Sequence, residues 1–210
     1  MIRVLCWAGI IAGLAFAAEG PRVSFTKVFP GSDPAYMAVT VDKDGTTTYR
    51  ESKDEDPETF KLEPDAVAAI FSLADKLDHF KRPLESGLKV AKTGDKTLRW
   101  ENGSESSEAK FNYSTDEDAR ILQDWFERIS DSERAMMSLR RAIRFDKLGV
   151  NDAVLRIDTL WSQKRLAGRD QFLPLLERVA KNQSFVNLAR DRAARLANEM
   201  RANGAKAAVE

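Results

Sequence analysis

The stretch "STDEDARILQDWFERISDSERAMMSLRRAIRFDK", Ser114–Lys147, is where the chain changes its hydrophobic period. Inside it, Ile121, Leu122, Trp125, Phe126 and Ile129 recur at three- and four-residue spacing, which places them on one apolar helix face. From Thr115 onward hardly any strand signal returns. Ser130 to Glu133, "SDSE", reads as a capping box, in which the hydroxyl and the carboxylate each satisfy an amide at a helix start, so the sequence predicts a break or bend there. The following helix is expected to run to about Lys147 and stop at Gly149. Asn151 is expected to cap another through Trp161 to about Leu166, ended by Gly168.

Upstream the pattern is different. "VSFTKVF" (Val23–Phe29), "YMAVTV" (Tyr36–Val41) and "TTTYRE" (Thr46–Glu51) are rich in β-branched and aromatic residues and are separated by turn material. They predict a meander in which Gly45 supplies the positive φ of a hairpin. After the acidic connection "SKDEDPET", Pro64 opens a helix to about Phe80 with Val67, Ile70, Phe71, Ala74, Leu77 and Phe80 on one face. Thr97–Trp100 and Ala109–Tyr113 form a second hairpin around Asn102-Gly103 and a polar loop. The expected fold class is therefore α+β. Residues 18–114 form a small antiparallel sheet with one covering helix, 115–204 an antiparallel helical array, and 205–210 a disordered tail.

Within the array, Asp170 is expected to cap a helix carrying Phe172, Leu173, Leu176, Val179 and Ala180, with Pro174 in its first turn. Ser184 caps a second, with Val186, Ala189, Ala193 and Leu196 on one stripe and Gly204 ending it. The short "KNQS" link makes the pair antiparallel. Through Pro174, Leu175, Leu176, Val186, Ala189, Ala193, Ala194 and Leu196, the hairpin over 170–203 resembles a HEAT-type repeat. Asn187 departs from the basic residue that often follows the valine. The resemblance implies a non-catalytic helical surface for protein partners, built from stacked units because one unit cannot bury its own core.

The first residues, "MIRVLCWAGIIAGLAFAAEG", combine an early cation, an apolar run too short to span a bilayer and small residues at Ala15 and Ala17. They predict a signal peptide over 1–17, a periplasmic or secreted location and no stable membrane anchor after cleavage. Cys6 is the only cysteine, so a chain cleaved after Ala17 has no thiol for disulfides, nucleophilic catalysis or metal binding. The formal net charge is zero, yet Gly20 to Asp118 holds 14 Lys and Arg against 20 Asp and Glu, a net of −6. Ala119 to Glu210 holds 18 against 12, a net of +6. Such halves can attract one another in the fold, or the basic half can meet an anionic partner.

No G-x-S-x-G, H-E-x-x-H or Walker pattern occurs, and His79, the only histidine, sits where a helix C-terminus favours it. Asp42, Asp44, Gly45 and Glu51 match four places of a calcium loop, but Thr40 stands where its first aspartate belongs and the flanks read as strands. The expectation is an exported, non-catalytic protein-binding module without metal or cofactor, acting through the helical array or the sheet edge. Arg140, Arg141, Arg144 and Lys147 are the candidate contacts, and the partner is a protein; export and the lack of interleaved aromatic residues speak against nucleic acid. The alternatives are an inhibitor-like module inserting the loop after Asn102 and an enzyme using carboxylates.

Overall fold

The computed structural model describes residues 20–207. The predicted signal peptide and the last three residues of the predicted tail lie outside that range. Six antiparallel strands form one sheet: β1 (Arg22–Val28), β2 (Tyr36–Asp42), β3 (Thr46–Arg50), β4 (Glu58–Lys61), β5 (Asp95–Asn102) and β6 (Glu105–Phe111), in the order β4-β3-β2-β1-β5-β6. Alternation puts one row of side chains from each strand on a single face. The register aligns Tyr49, Val39, Phe25, Leu98 and Ala109 across five strands, and all five are buried. β4 lies inside what the sequence presents as an acidic connection; only Phe60 of its four residues is buried, which leaves no alternation to detect. At the β2–β3 turn Gly45 has φ +86°, and a Cβ there would come within 3.1 Å of the Leu62 carbonyl oxygen.

Two helices cover the buried face. α1 (Pro64–Lys76) contributes Val67, Ile70, Phe71 and Ala74. The first half of α2 (Glu117–Phe145) contributes Ala119, Leu122, Phe126 and Ile129 to the same cluster. The Phe126 ring stacks on Phe25 of β1 at 5.1 Å between centroids, 13° from parallel. Ile121, on the predicted stripe, is instead 43% exposed.

α2 is one continuous helix of 29 residues, about 43 Å long. The expected break at Ser130–Glu133 does not occur, because those polar side chains find partners outside the helix. Tyr49 bonds Ser130 Oγ at 3.0 Å and Glu51 Oε1 at 2.7 Å. Ser132 Oγ donates to the Arg128 carbonyl at 2.8 Å and accepts the Ala167 N–H at 2.9 Å, and Gln171 Nε2 donates to Glu133 Oε1. Beyond this belt α2 joins a second apolar cluster through Ala135, Met136, Leu139 and Ala142.

That cluster is completed by α3 (Val150–Ser162), α4 (Leu173–Lys181) and α5 (Asn187–Ala207). Gly149 rather than Asn151 stands at the start of α3, and α4 begins after Phe172 rather than at an Asp170 cap. α4 and α5 pack antiparallel: Ala180 accepts from Arg190 Nε, and Glu177 pairs with Arg201. The buried stripe of α5 uses Ala189, Ala193 and Leu196 as expected, but Phe185 fills the place assigned to Val186, which is 46% exposed. α5 also runs through Gly204 to Ala207, past the predicted stop.

Burial pushes the Glu133 carboxyl up from 4.5 to about 7, against the lowering effect of the Gln171 hydrogen bond and the nearby Arg140 charge, with Glu58 adding to the rise. Its Oε2 has no hydrogen-bond partner. A raised carboxyl pKa means that the folded state holds the proton longer than the unfolded chain. Stability should therefore fall as pH rises from about 4.5 to about 7 and level off above, by up to about 3 kcal/mol in all. Chemical denaturation across that range should show the slope in the natural chain and a flatter profile in Glu133→Gln; parallel profiles would mean that Glu133 stays ionised.

Candidate functional site

Ion pairs engage about half of the array's cations among the described residues, and several of the others gather at one corner. Arg128 pairs with Asp124, Arg165 with Asp124 and Asp131, Arg192 and Arg195 with Asp158, and Arg201 with Glu177. Of the four cations singled out in the sequence, Arg140 is likewise committed, its Nη1 2.7 Å from Glu58 of β4. It therefore ties the array to the sheet. Arg141, Arg144 and Lys147 form no ion pair among the described residues. They lie at the α2–α3 corner, where residues 144–148 are all exposed.

This corner also carries two apolar side chains that the fold leaves in water, Phe145 at 75% and Leu148 at 82% exposure. The Arg144 guanidinium lies 5.4 Å from the Phe145 ring centroid. Asp146 Oδ1 accepts the Gly149 N–H at 3.0 Å and closes the turn; a Cβ at position 149 would collide with that carboxylate. α3 and α5 run side by side in the same direction, as Asn151 with Arg192, Asp158 with Arg195 and Trp161 with Glu199 show. The exposed Val186 and Leu188 at the head of α5 therefore share this end of the array. Below the corner, α2 and α3 flank a cleft of about 360 Å³ lined by Ser138, Arg141, Asp146, Asp152 and Arg156 among others.

Sequence periodicity cannot reveal Phe145 as exposed. It stands three residues after Ala142 on the buried stripe, and only the end of α2 at that residue takes it off the core. Arg156 carried no motif at all.

The other candidates resolve differently. Asp44 Oδ1 accepts the Thr46 N–H at 2.8 Å and its Oδ2 meets Lys61 Nζ at 2.8 Å, so the calcium-like stretch is a hairpin turn between strands. Lys61 and the Thr46 amide hold the Asp44 carboxyl well below its usual range, at about 2. Among the described residues, no group of three or more His, Cys, Asp and Glu could hold a metal ion, and no helix is long and apolar enough to cross a membrane. The loop after Asn102 is a two-residue turn, with Gly103 at φ +59°, between strands longer than the sequence indicates.

His79 belongs to a turn after α1 in which three consecutive non-glycine residues, Asp78, His79 and Phe80, have φ of 51°, 51° and 65°. The predicted helix to Phe80 thus ends at Lys76 and reverses hand. The turn is held by the Nε2 to Asp75 contact at 2.8 Å, by His79 stacking on Trp100 at 4.2 Å, and by Ser107 Oγ donating to the His79 carbonyl at 2.5 Å. The stacked ring and the engaged nitrogen tie His79 into this turn.

Comparison with known protein families, curated proteins and solved structures finds no match for this chain in any of the three.

Asp78 is exposed and bears its positive φ without a side-chain bond, a conformation that costs an ordinary residue roughly 1–2 kcal/mol relative to glycine. Asp78→Gly should therefore raise stability, by up to about 1 kcal/mol once the freer unfolded chain is counted, and His79→Ala should lower it through loss of the Trp100 stack. Thermal melts of the two variants check both signs.

Proposed function

We propose that the chain is a non-catalytic binding module that recruits another protein through the α2–α3 corner of its helical array. The observation that carries this reading is the pairing of Phe145 and Leu148, almost wholly in water, with Arg141, Arg144 and Lys147, which have no counter-ion among the described residues. Large apolar side chains with cations around them are what a partner with an apolar recess and an acidic rim would engage, the apolar part giving affinity and the charges orientation and encounter rate. The HEAT-type reading of the α4–α5 hairpin belongs to the same proposal, because that hairpin supports the end of the array on which the corner sits.

The sheet edges offer less. β4 is four residues long and preceded by Pro57, while β6 carries Glu105, Glu108 and Lys110, and short or charged edges resist strand addition. The two-residue turn after Asn102 is too short to enter a target cleft as an inhibitor loop would.

The test is affinity capture of partners by the chain and its variants. Arg141→Glu with Arg144→Glu, and separately Phe145→Ser with Leu148→Ser, should each reduce capture at least tenfold without lowering the melting temperature, since none of the four side chains makes a core contact. Arg140→Glu should instead destabilise the fold, as it places two carboxylates together at Glu58. Equal capture by the natural chain and both double variants would remove the corner from consideration.

A further inference from the structure

Arg141 of α2 and Arg156 of α3 line the same cleft, and neither forms an ion pair among the described residues, although most arginines of the array do. Two guanidinium groups that face one concave space repel each other, and among the described residues no carboxylate pairs with either. Asp146 and Asp152 line the cleft too, but both are turned to local work. Asp146 Oδ1 closes the corner onto the Gly149 amide, and Asp152, in the first turn of α3, bonds Asn151 Nδ2 at 3.3 Å. Ser138 adds a hydroxyl. Asp146 and Gly149, which line the cleft, are the chain neighbours of Phe145 and Leu148.

From this arrangement we infer that the α2–α3 cleft is an arginine clamp for a carboxylate side chain of an acidic peptide segment, whose neighbouring apolar residue packs on Phe145 and Leu148. This rests on the reading of the corner as a docking surface and gives the partner's chemistry. Guanidinium groups match carboxylates through paired N–H donors, and a carboxylate between two of them relieves their mutual repulsion. The volume, about 360 Å³, admits one acidic side chain with part of its backbone. An anionic lipid surface fits less well. A broad membrane surface does not reach into a cleft of this size, whereas a single peptide side chain can place its carboxylate between the two guanidinium groups while Asp146 and Asp152 stay engaged with Gly149 and Asn151.

The experiment uses the whole chain and a fluorescent synthetic peptide with an Asp-Glu pair flanked by Leu and Phe. Its controls are the Asn-Gln version of that peptide and phosphatidylglycerol vesicles. Fluorescence anisotropy should show binding of the acidic peptide, weakening with added salt, and at least tenfold weaker binding of the Asn-Gln version. Arg156→Gln should lose about tenfold in affinity and Arg156→Lys only part of that, since charge survives but the paired donors do not. Circular dichroism melts should leave both variants as stable as the natural chain. Absence of peptide binding at millimolar concentration, unchanged affinity in Arg156→Gln, or binding of vesicles in preference to the peptide would each overturn the clamp. The corner reading fails separately: it falls if Phe145→Ser with Leu148→Ser leaves partner capture unchanged, and it stands if that pair abolishes capture while Arg156→Gln does not.

Discussion

One helix belonging to two cores constrains everything else in this protein. The first half of α2 is an apolar lid on the sheet, stacked on β1 through Phe126 and Phe25, and its second half is a wall of the helical array. A continuous hydrogen-bonded helix does not flex freely between those roles, so the sheet and the array are set relative to each other by the rotation of one rod. The buried members of the two apolar clusters divide between Ile129 and Ala135, in the middle of a secondary structure element, with half-buried Met137 still packed against the first. At that division the helix exchanges apolar for polar contacts, with Tyr49, Ala167 and Gln171 reaching it from the sheet and from the segment before α4. Glu63, just before α1, closes a second tie by accepting the Gly168 and Arg169 amides at 3.0 and 2.5 Å. A Cβ at Gly168, where φ is +65°, would press to 3.0 Å from the Phe60 ring, so this approach depends on glycine.

The opposite charges of the two halves follow the same geometry. Arg134 meets Asp33 and Glu51, Arg140 meets Glu58, and Arg169 meets Glu63, each pairing a cation of the basic half with an acid of the acidic half. Exposed pairs of this kind contribute little individually, about 0–1 kcal/mol, and their greater effect is to orient one half on the other. They all lie along the part of α2 near the sheet or on the segment beside it. Farther along, toward Phe145, no acid of the first half is in reach, and Arg141, Arg144, Lys147 and Arg156 are left without ion-pair partners among the described residues. The functional reading of the corner is thus a consequence of how far α2 projects beyond the sheet.

Much was legible before any coordinates. Alternation in β1, β2 and β3, the turn at Gly45 and the helix opened by Pro64 are local signals, and each reports a side chain's own neighbours in sequence. The α+β class and the change of period at Thr115 were read in the same way. The signals that misled were equally local. Ser130 and Glu133 have the chemistry of a capping box, but a cap exists only where a helix begins, and packing of α2 on both sides keeps the helix going through them. Val186 and Phe185 are adjacent apolar residues, and which one is buried depends on the entry angle of α5 against α4. The left-handed turn at Asp78–Phe80 is stabilised by Trp100 and Ser107, which lie far along the chain.

What the amino-acid sequence determined by itself was the kind and approximate position of the elements, the asymmetry of charge, and the lack of recognisable catalytic motifs, because these depend on composition and short-range spacing. The tertiary structure decided which cations are neutralised, which apolar residues stay in water and where one core gives way to the other. Those are differences between residues of like character, the cations Arg140 and Arg141 or the apolar Ala142 and Phe145. They arise only when a partner distant in sequence is brought near or withheld, which no local pattern encodes.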